Sequence, residues 1–194
     1  MKKQILTDVD GVLLKWKEFF IDYMLEKGYE LNPDDAGMNY NLEGLFKNVS
    51  SKEAMQHVQL FNDGYWRFGT LQPCEGAVES MYILSSLGYS FVAITSCSDK
   101  PEVTTLRKAN LYNIFGDVFE EVHCTGVHKS KTPFLELYDP TFWIEDKLNR
   151  AIEGAEVGHD AILIDCSSNQ NENDDRVKRC FSWAEIVQYI LTNE

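Results

Sequence analysis

The sequence predicts an α/β protein with a parallel sheet between two helical layers, a three-layer Rossmann-like core. Two patterns carry that reading. The first is an opening strand, "QILTDV", whose β-branched and apolar content suits a buried strand. The second is the regular return of strand after helix from about residue 73 to the C-terminus. A third observation modifies it: residues 16–72 hold eleven of the chain's 24 aromatic residues. That excess predicts an insert with its own small core. The expected organisation is therefore a core of residues 1–15 and 73–194 with a mainly helical insert over 16–72.

Each element has its own justification. "WKEFFIDYMLEKG" is amphipathic at helical spacing and stops at Gly28. "NPDDAG" reads as a turn or helix start, and "SSKEAMQHVQLFNDG" as a second helix capped by serine. A helix is expected from about Glu75 to Leu87, closed by Gly88, followed by the strand "FVAITS". Pro101 suits the first turn of the next helix. "DVFEEVHC" reads as a strand, "TPFLELY" as a short helix, "TFWIED" as a strand and "KLNRAIEGAE" as a helix. "AILID" is expected to be the last buried strand. "SSNQNENDDR" reads as a mobile polar loop and "SWAEIVQYIL" as a capped closing helix.

Composition narrows the function. The chain has 194 residues, 44% of them hydrophobic, enough for a full core. No apolar run approaches the ~20 residues of a membrane span, and the segment behind Lys2 and Lys3 is too short for a secretory signal. Five cysteines without a CxxC pair fit a reducing compartment, so a cytoplasmic protein is expected. His123, Cys124 and His128 in "VHCTGVH" read as a strand end and loop rather than a metal site. The net charge of −13 disfavours binding to extended nucleic acid, whose affinity comes from neutralised phosphates. A small anionic substrate stays compatible if a divalent cation and a lysine invert the field locally.

In a parallel sheet, ligands bind at the carboxyl ends of the strands. Those ends carry Asp8 and Asp10, then Thr95 and Ser96, then a lysine at 129 or 131, then Glu145 and Asp146. Alone, each has a plain structural explanation: a turn, a helix cap, a solvated loop, acids before a helix. Together they form a set suited to phosphoryl transfer. Magnesium takes hard oxygen ligands, a carboxylate can attack phosphorus, and a hydroxyl with an ammonium can hold the phosphoryl oxygens. Side chains at i and i+2 of an extended segment point the same way, so Asp8 and Asp10 can share a pocket if a cation offsets their repulsion.

"DVDGVL", "FVAITS", "KSKTPFLELY" and "FWIEDK" resemble the four motifs of the haloacid-dehalogenase-like superfamily, mostly aspartate-dependent phosphatases. The chain also resembles its small 5′(3′)-deoxyribonucleotidase-type members with a helical cap. The resemblance implies Asp8 as nucleophile and magnesium ligand. It implies Asp10 as general acid and then base, with its backbone carbonyl on the metal. Thr95 would hold phosphoryl oxygen with Ser96 and Gly11 close by, and Asp146 would hold magnesium with Glu145 as a second carboxylate or outer partner. Lys-x-Pro favours Lys131 over Lys129 as the phosphate-binding lysine. The insert would be a lid, with Trp16, Phe19, Phe20, Tyr23, Tyr40, Trp66 and Arg67 available to the substrate or, for most of the aromatics, packed in its core. Of these, Phe19, Trp66 and Arg67 are the candidate substrate contacts. The expected activity is magnesium-dependent hydrolysis of a small phosphomonoester, such as a nucleoside monophosphate, through an aspartyl-phosphate. Two rivals are a catalytically silent binding protein of the same fold and a 3′-end polynucleotide phosphatase. A receiver domain is disfavoured, because its paired acids precede a separate phosphorylated aspartate.

Overall fold

The computed structural model describes residues 3–33, 42, 44–64, 66–127 and 129–193. Tyr40, His128 and most of "NPDDAG" lie outside them. Six strands form one parallel sheet in the order β3-β2-β1-β4-β5-β6. They are β1 (Lys3–Thr7), β2 (Tyr89–Thr95), β3 (Phe119–Cys124), β4 (Phe142–Glu145), β5 (Asp160–Ile164) and β6 (Val177–Cys180). Between them run the helices α1 (Trp16–Glu26), α2 (Ser51–Gly64), α3 (Ala77–Ser86), α4 (Pro101–Phe115), α5 (Thr132–Leu135), α6 (Leu148–Glu156) and α7 (Trp183–Thr192). Among the described residues, no helix is long and apolar enough to cross a membrane.

Period-two alternation builds the layers. Ile5, Phe91, Ala93, Ile144 and Ile162 turn to one face, where Met81 and Leu84 of α3 and Trp183, Ile186 and Ile190 of α7 cover them. Leu6, Val92, Ile94, Trp143 and Leu163 turn to the other, against Leu135 of α5 and Ala151 of α6. Strands buried on both faces read as continuous apolar runs, which is why β1, β2 and β5 were legible. Ser182 caps α7, accepting from the Glu185 amide at 3.3 Å. Ser50 does the same for α2 from Glu53.

The structure departs from expectation in three places. β6 is a sixth, edge strand: "VKRC" is too polar to signal one, because only Cys180 in it is buried. The insert does not keep a separate core. Phe20, Met24, Phe46, Phe61 and Phe68 join the same apolar cluster as Ile5 and Phe91. The 167–176 loop, expected to be mobile, is tied down by fully buried Asn169, which donates to the carbonyls of Asp146 and Ile164 at 2.7 and 2.8 Å. Arg179 of β6 donates to Asn169 Oδ1 and to its carbonyl at 2.8 and 2.9 Å.

Candidate active site

The strand order reverses between β1 and β4, which pair directly. A crevice opens at such a point beyond the carboxyl ends of the strands. Asp8 follows β1, with its amide donating to the Ile144 carbonyl of β4 at 2.8 Å. Glu145 ends β4 and Asp146 follows it. A cavity of about 340 Å³ lies here, lined by Asp8, Asp10, Ser96, Lys131, Glu145 and Asp146.

Lys131 enters from the N-terminal end of α5 and is 1% exposed. Its Nζ lies 2.7 Å from Asp8 Oδ1 and 2.7 Å from Glu145 Oε1, and 5.1 Å from the centre of the Trp143 ring. Burial works against the ammonium, but Asp8 and Glu145 hold it charged, with its pKa above the usual lysine range. Glu145 is equally committed. Its Oε2 accepts the amides of Asp146 and Lys147 at 2.7 and 2.9 Å. Burial alone would raise its pKa, but Lys131 and these hydrogen bonds hold it below the ordinary value.

The other acids feel the opposite balance. Burial pushes Asp8 up to about 7; Lys131 opposes this, while Glu145 and Asp10 add to it. Asp146 is raised well above its ordinary value by burial, then by the charges of Glu145 and Asp8. Asp10 is raised by burial against the pull of Arg107. Carboxyl oxygens of Asp8, Glu145 and Asp146 all lie within 4.8 Å of one another. Acids so placed repel one another unless a cation offsets them. Lys131 and Arg107 are the buried cations beside these acids, and a divalent ion at Asp8 and Asp146 would offset the repulsion between them. Glu145 already accepts three donors, so Asp8 and Asp146 are the members of this group better suited to hold a metal. The residues therefore fit a hard divalent ion.

Gly11 is needed at its position. Its φ is +88°, and an added Cβ would overlap Asp146 Oδ2. Ser96 lines the cavity. Thr95 is fully buried, and its hydroxyl has no hydrogen-bond partner among the described residues. Lys129 points elsewhere: it is exposed and paired with Asp99 at 3.0 Å. Phe19, Trp66 and Arg67 do not line the cavity. Phe19 packs against the core, Trp66 is 65% exposed, and Arg67 pairs with Glu26 and lies over the Trp66 ring. The insert contributes Trp16, Lys17, Glu18 and Leu42 to the wall instead. Trp16 stacks on Phe20, with centroids 5.0 Å apart, and donates to Asn62.

Arg107 escaped sequence reasoning. It lies in mid-α4, where an Arg-Lys pair reads as a solvated helix face, yet it is fully buried and bonds both Asp10 oxygens at 2.7 and 3.0 Å. The signal that could have found it is helical spacing: Arg107 lies four residues from both Val103 and Leu111, on the buried face of α4, and Lys108 does not. Asn169 was missed inside a run of polar residues.

No family model matches the chain. Among curated proteins it is similar to an uncharacterized 32.4 kDa protein of Enterobacteria phage T4, 22% identical over 208 aligned positions that span 99% of this chain and 71% of that protein. Solved structures are more informative. A haloacid dehalogenase-like family hydrolase from Streptococcus pneumoniae superposes with a TM-score of 0.64 at 17% identity, covering 96% of this chain and 97% of that one. A haloacid-dehalogenase hydrolase from Bacillus subtilis, bound to magnesium, gives 0.63 at 13% identity over 98% and 99%. CbbY from Rhodobacter sphaeroides, in complex with phosphate, gives 0.61 at 14% identity over 96% of each chain. This chain thus has the fold of the haloacid-dehalogenase-like hydrolases.

Proposed function

We propose that the protein is a magnesium-dependent phosphomonoester hydrolase that works through an aspartyl-phosphate on Asp8. The observation that carries this reading is the placement of Asp8, between the Lys131 ammonium at 2.7 Å and the carboxylate of Asp146, at the end of β1. A magnesium ion held by Asp8, Asp146 and the Asp10 carbonyl would neutralise the acids and draw charge from the phosphoryl group.

The chain's own residues then have distinct roles. Asp8 attacks phosphorus through a carboxylate oxygen while the phosphorus–oxygen bond to the leaving group breaks. Asp10 gives its proton to the leaving oxygen. It later takes a proton from the water that hydrolyses the acyl-phosphate, and this returns Asp8 and releases phosphate. Lys131, with Ser96 and Thr95 at the end of β2, holds the phosphoryl oxygens as charge spreads over them. The magnesium and the phosphate in the Bacillus subtilis and Rhodobacter sphaeroides neighbours support this assignment.

Residues 16–72 are a lid in this reading, because Trp16, Lys17 and Leu42 wall the cavity. Its volume lies near the lower end of small-molecule sites, about 300–1,000 Å³, which favours a small metabolite over a polynucleotide end. Trp16 in the cavity wall suits a nucleoside monophosphate, since base–aromatic stacking is worth roughly 1–3 kcal/mol per base. A panel of nucleoside monophosphates, sugar phosphates and an aryl phosphate, assayed with and without magnesium, tests the proposal. Magnesium-dependent phosphate release is expected. Release that ignores chelation, or none from any substrate by folded protein, overturns it.

A further inference from the structure

A helix packed beside a sheet ordinarily buries aliphatic side chains, yet α4 buries Arg107 completely. One nitrogen, Nη2, serves both oxygens of Asp10. The guanidinium lies over the Phe68 ring, 4.1 Å from its centre. Its Nε and Nη1 are buried with no hydrogen-bond partner among the described residues. Each unpartnered buried donor is destabilising, because it has given up its hydrogen bonds to water. A buried ion pair gains little over well-packed apolar groups of the same volume. Stability therefore does not account for an arginine here.

Its geometry does. Arg107 is the only side chain that bonds the Asp10 carboxylate among the described residues. Three residues on, Asn110 exchanges hydrogen bonds with the Leu71 backbone at 3.1 and 3.0 Å. The segment that returns from the insert is thus fastened to α4 twice, by Phe68 against Arg107 and by Leu71 at Asn110. The arginine is held on one side by the insert and on the other holds Asp10.

We propose that Arg107 is a positioning residue that aims the Asp10 carboxyl group at the leaving-group oxygen, and that Phe68 keeps Arg107 in register. This rests on the hydrolase reading above.

A double-mutant cycle tests it. Turnover is measured for the native protein, Arg107→Met, Asp10→Asn and the double variant, each with an alkyl and an aryl phosphate. Arg107→Met is expected to lower kcat on the alkyl phosphate by about 100-fold, the lower end of general acid–base contributions. KM is expected to stay within about twofold, and the loss to be smaller on the aryl phosphate, whose leaving group needs less protonation. In the Asp10→Asn background the same substitution is expected to cost nothing more. Equal losses in both backgrounds, or on both substrates, overturn the inference and leave a merely structural arginine. Should Arg107→Met not fold, Phe68→Leu carries the same cycle with a smaller loss expected in the same direction. Inactivity of the native protein on every substrate removes the hydrolase reading and this inference together. Activity with additive losses removes this inference alone.

Discussion

The Lys131 ammonium lies 2.7 Å from the Asp8 carboxylate and makes the same approach to Glu145. One buried cation therefore serves two buried anions, and neither anion is free to lose it. Lys131→Met is predicted to destabilise the fold by about 3–5 kcal/mol, the cost of stranding buried charge, and to lower turnover by at least about 100-fold. Denaturant unfolding and kcat check the two halves separately. A stable, active variant would contradict the assignment.

Magnesium-free protein is predicted to show a particular pH dependence. Burial raises Asp8 from 3.8 to about 7, and Asp146 is raised for the same first reason. A carboxyl group shifted upward on folding contributes stability below its unfolded value and loses that contribution as pH rises through its folded value. Asp8 should therefore weaken the fold progressively between about pH 4 and pH 7, with Asp146 acting in the same direction, and magnesium should restore it by binding the native state. The Tm of Asp8→Asn relative to native protein, both without metal, should rise in favour of the variant over that window. A pH-independent difference would contradict the account.

Asn169 ties the last loop to the backbone of a proposed metal ligand, donating to the Asp146 carbonyl at 2.7 Å. Asn169→Ala is predicted to weaken magnesium binding by roughly 10–100-fold, as removal of outer partners does. Calorimetric titration with magnesium measures this directly. Unchanged affinity would show that Asp146 is placed by β4 alone.

Gly11→Ala is predicted to harm both fold and site. The residue holds φ +88° and leaves no room for a Cβ beside Asp146 Oδ2. The backbone strain alone costs about 1–2 kcal/mol, and the overlap displaces the Asp146 carboxylate. Reduced Tm with reduced magnesium affinity is expected. A loss of stability with native metal affinity would mean that Asp146 gives way without leaving the site.

Much of this architecture was legible in the sequence because buried parallel strands and their polar ends contrast sharply. "QILTDV", "FVAITS" and "TFWIED" each run from apolar interior to acid or hydroxyl, so the sequence alone groups Asp8, Ser96, Glu145 and Asp146. Lys131 was favoured over Lys129 by the resemblance of its Lys-x-Pro to the superfamily's third motif. Arg107, Asn169 and Arg179 were not legible. They are polar residues whose burial depends on what the rest of the chain brings beside them, and only for Arg107, four residues from Val103 and Leu111, does the helical period point inward. The insert misled for a related reason. Phe19 and Trp66 have the right chemistry for a substrate wall, but helix phase turns Phe19 into the core and leaves Trp66 in solvent, while Trp16 reaches the cavity.

The most direct test of the account is to trap the covalent intermediate. Protein quenched during turnover with magnesium and an active phosphomonoester, then reduced with borohydride, converts an aspartyl-phosphate to homoserine. Peptide mass spectrometry should place that change at Asp8 in the native protein and find none in Asp8→Asn, which should also release no phosphate. Turnover without a modified Asp8, or phosphate release that persists in Asp8→Asn, would contradict the central claim.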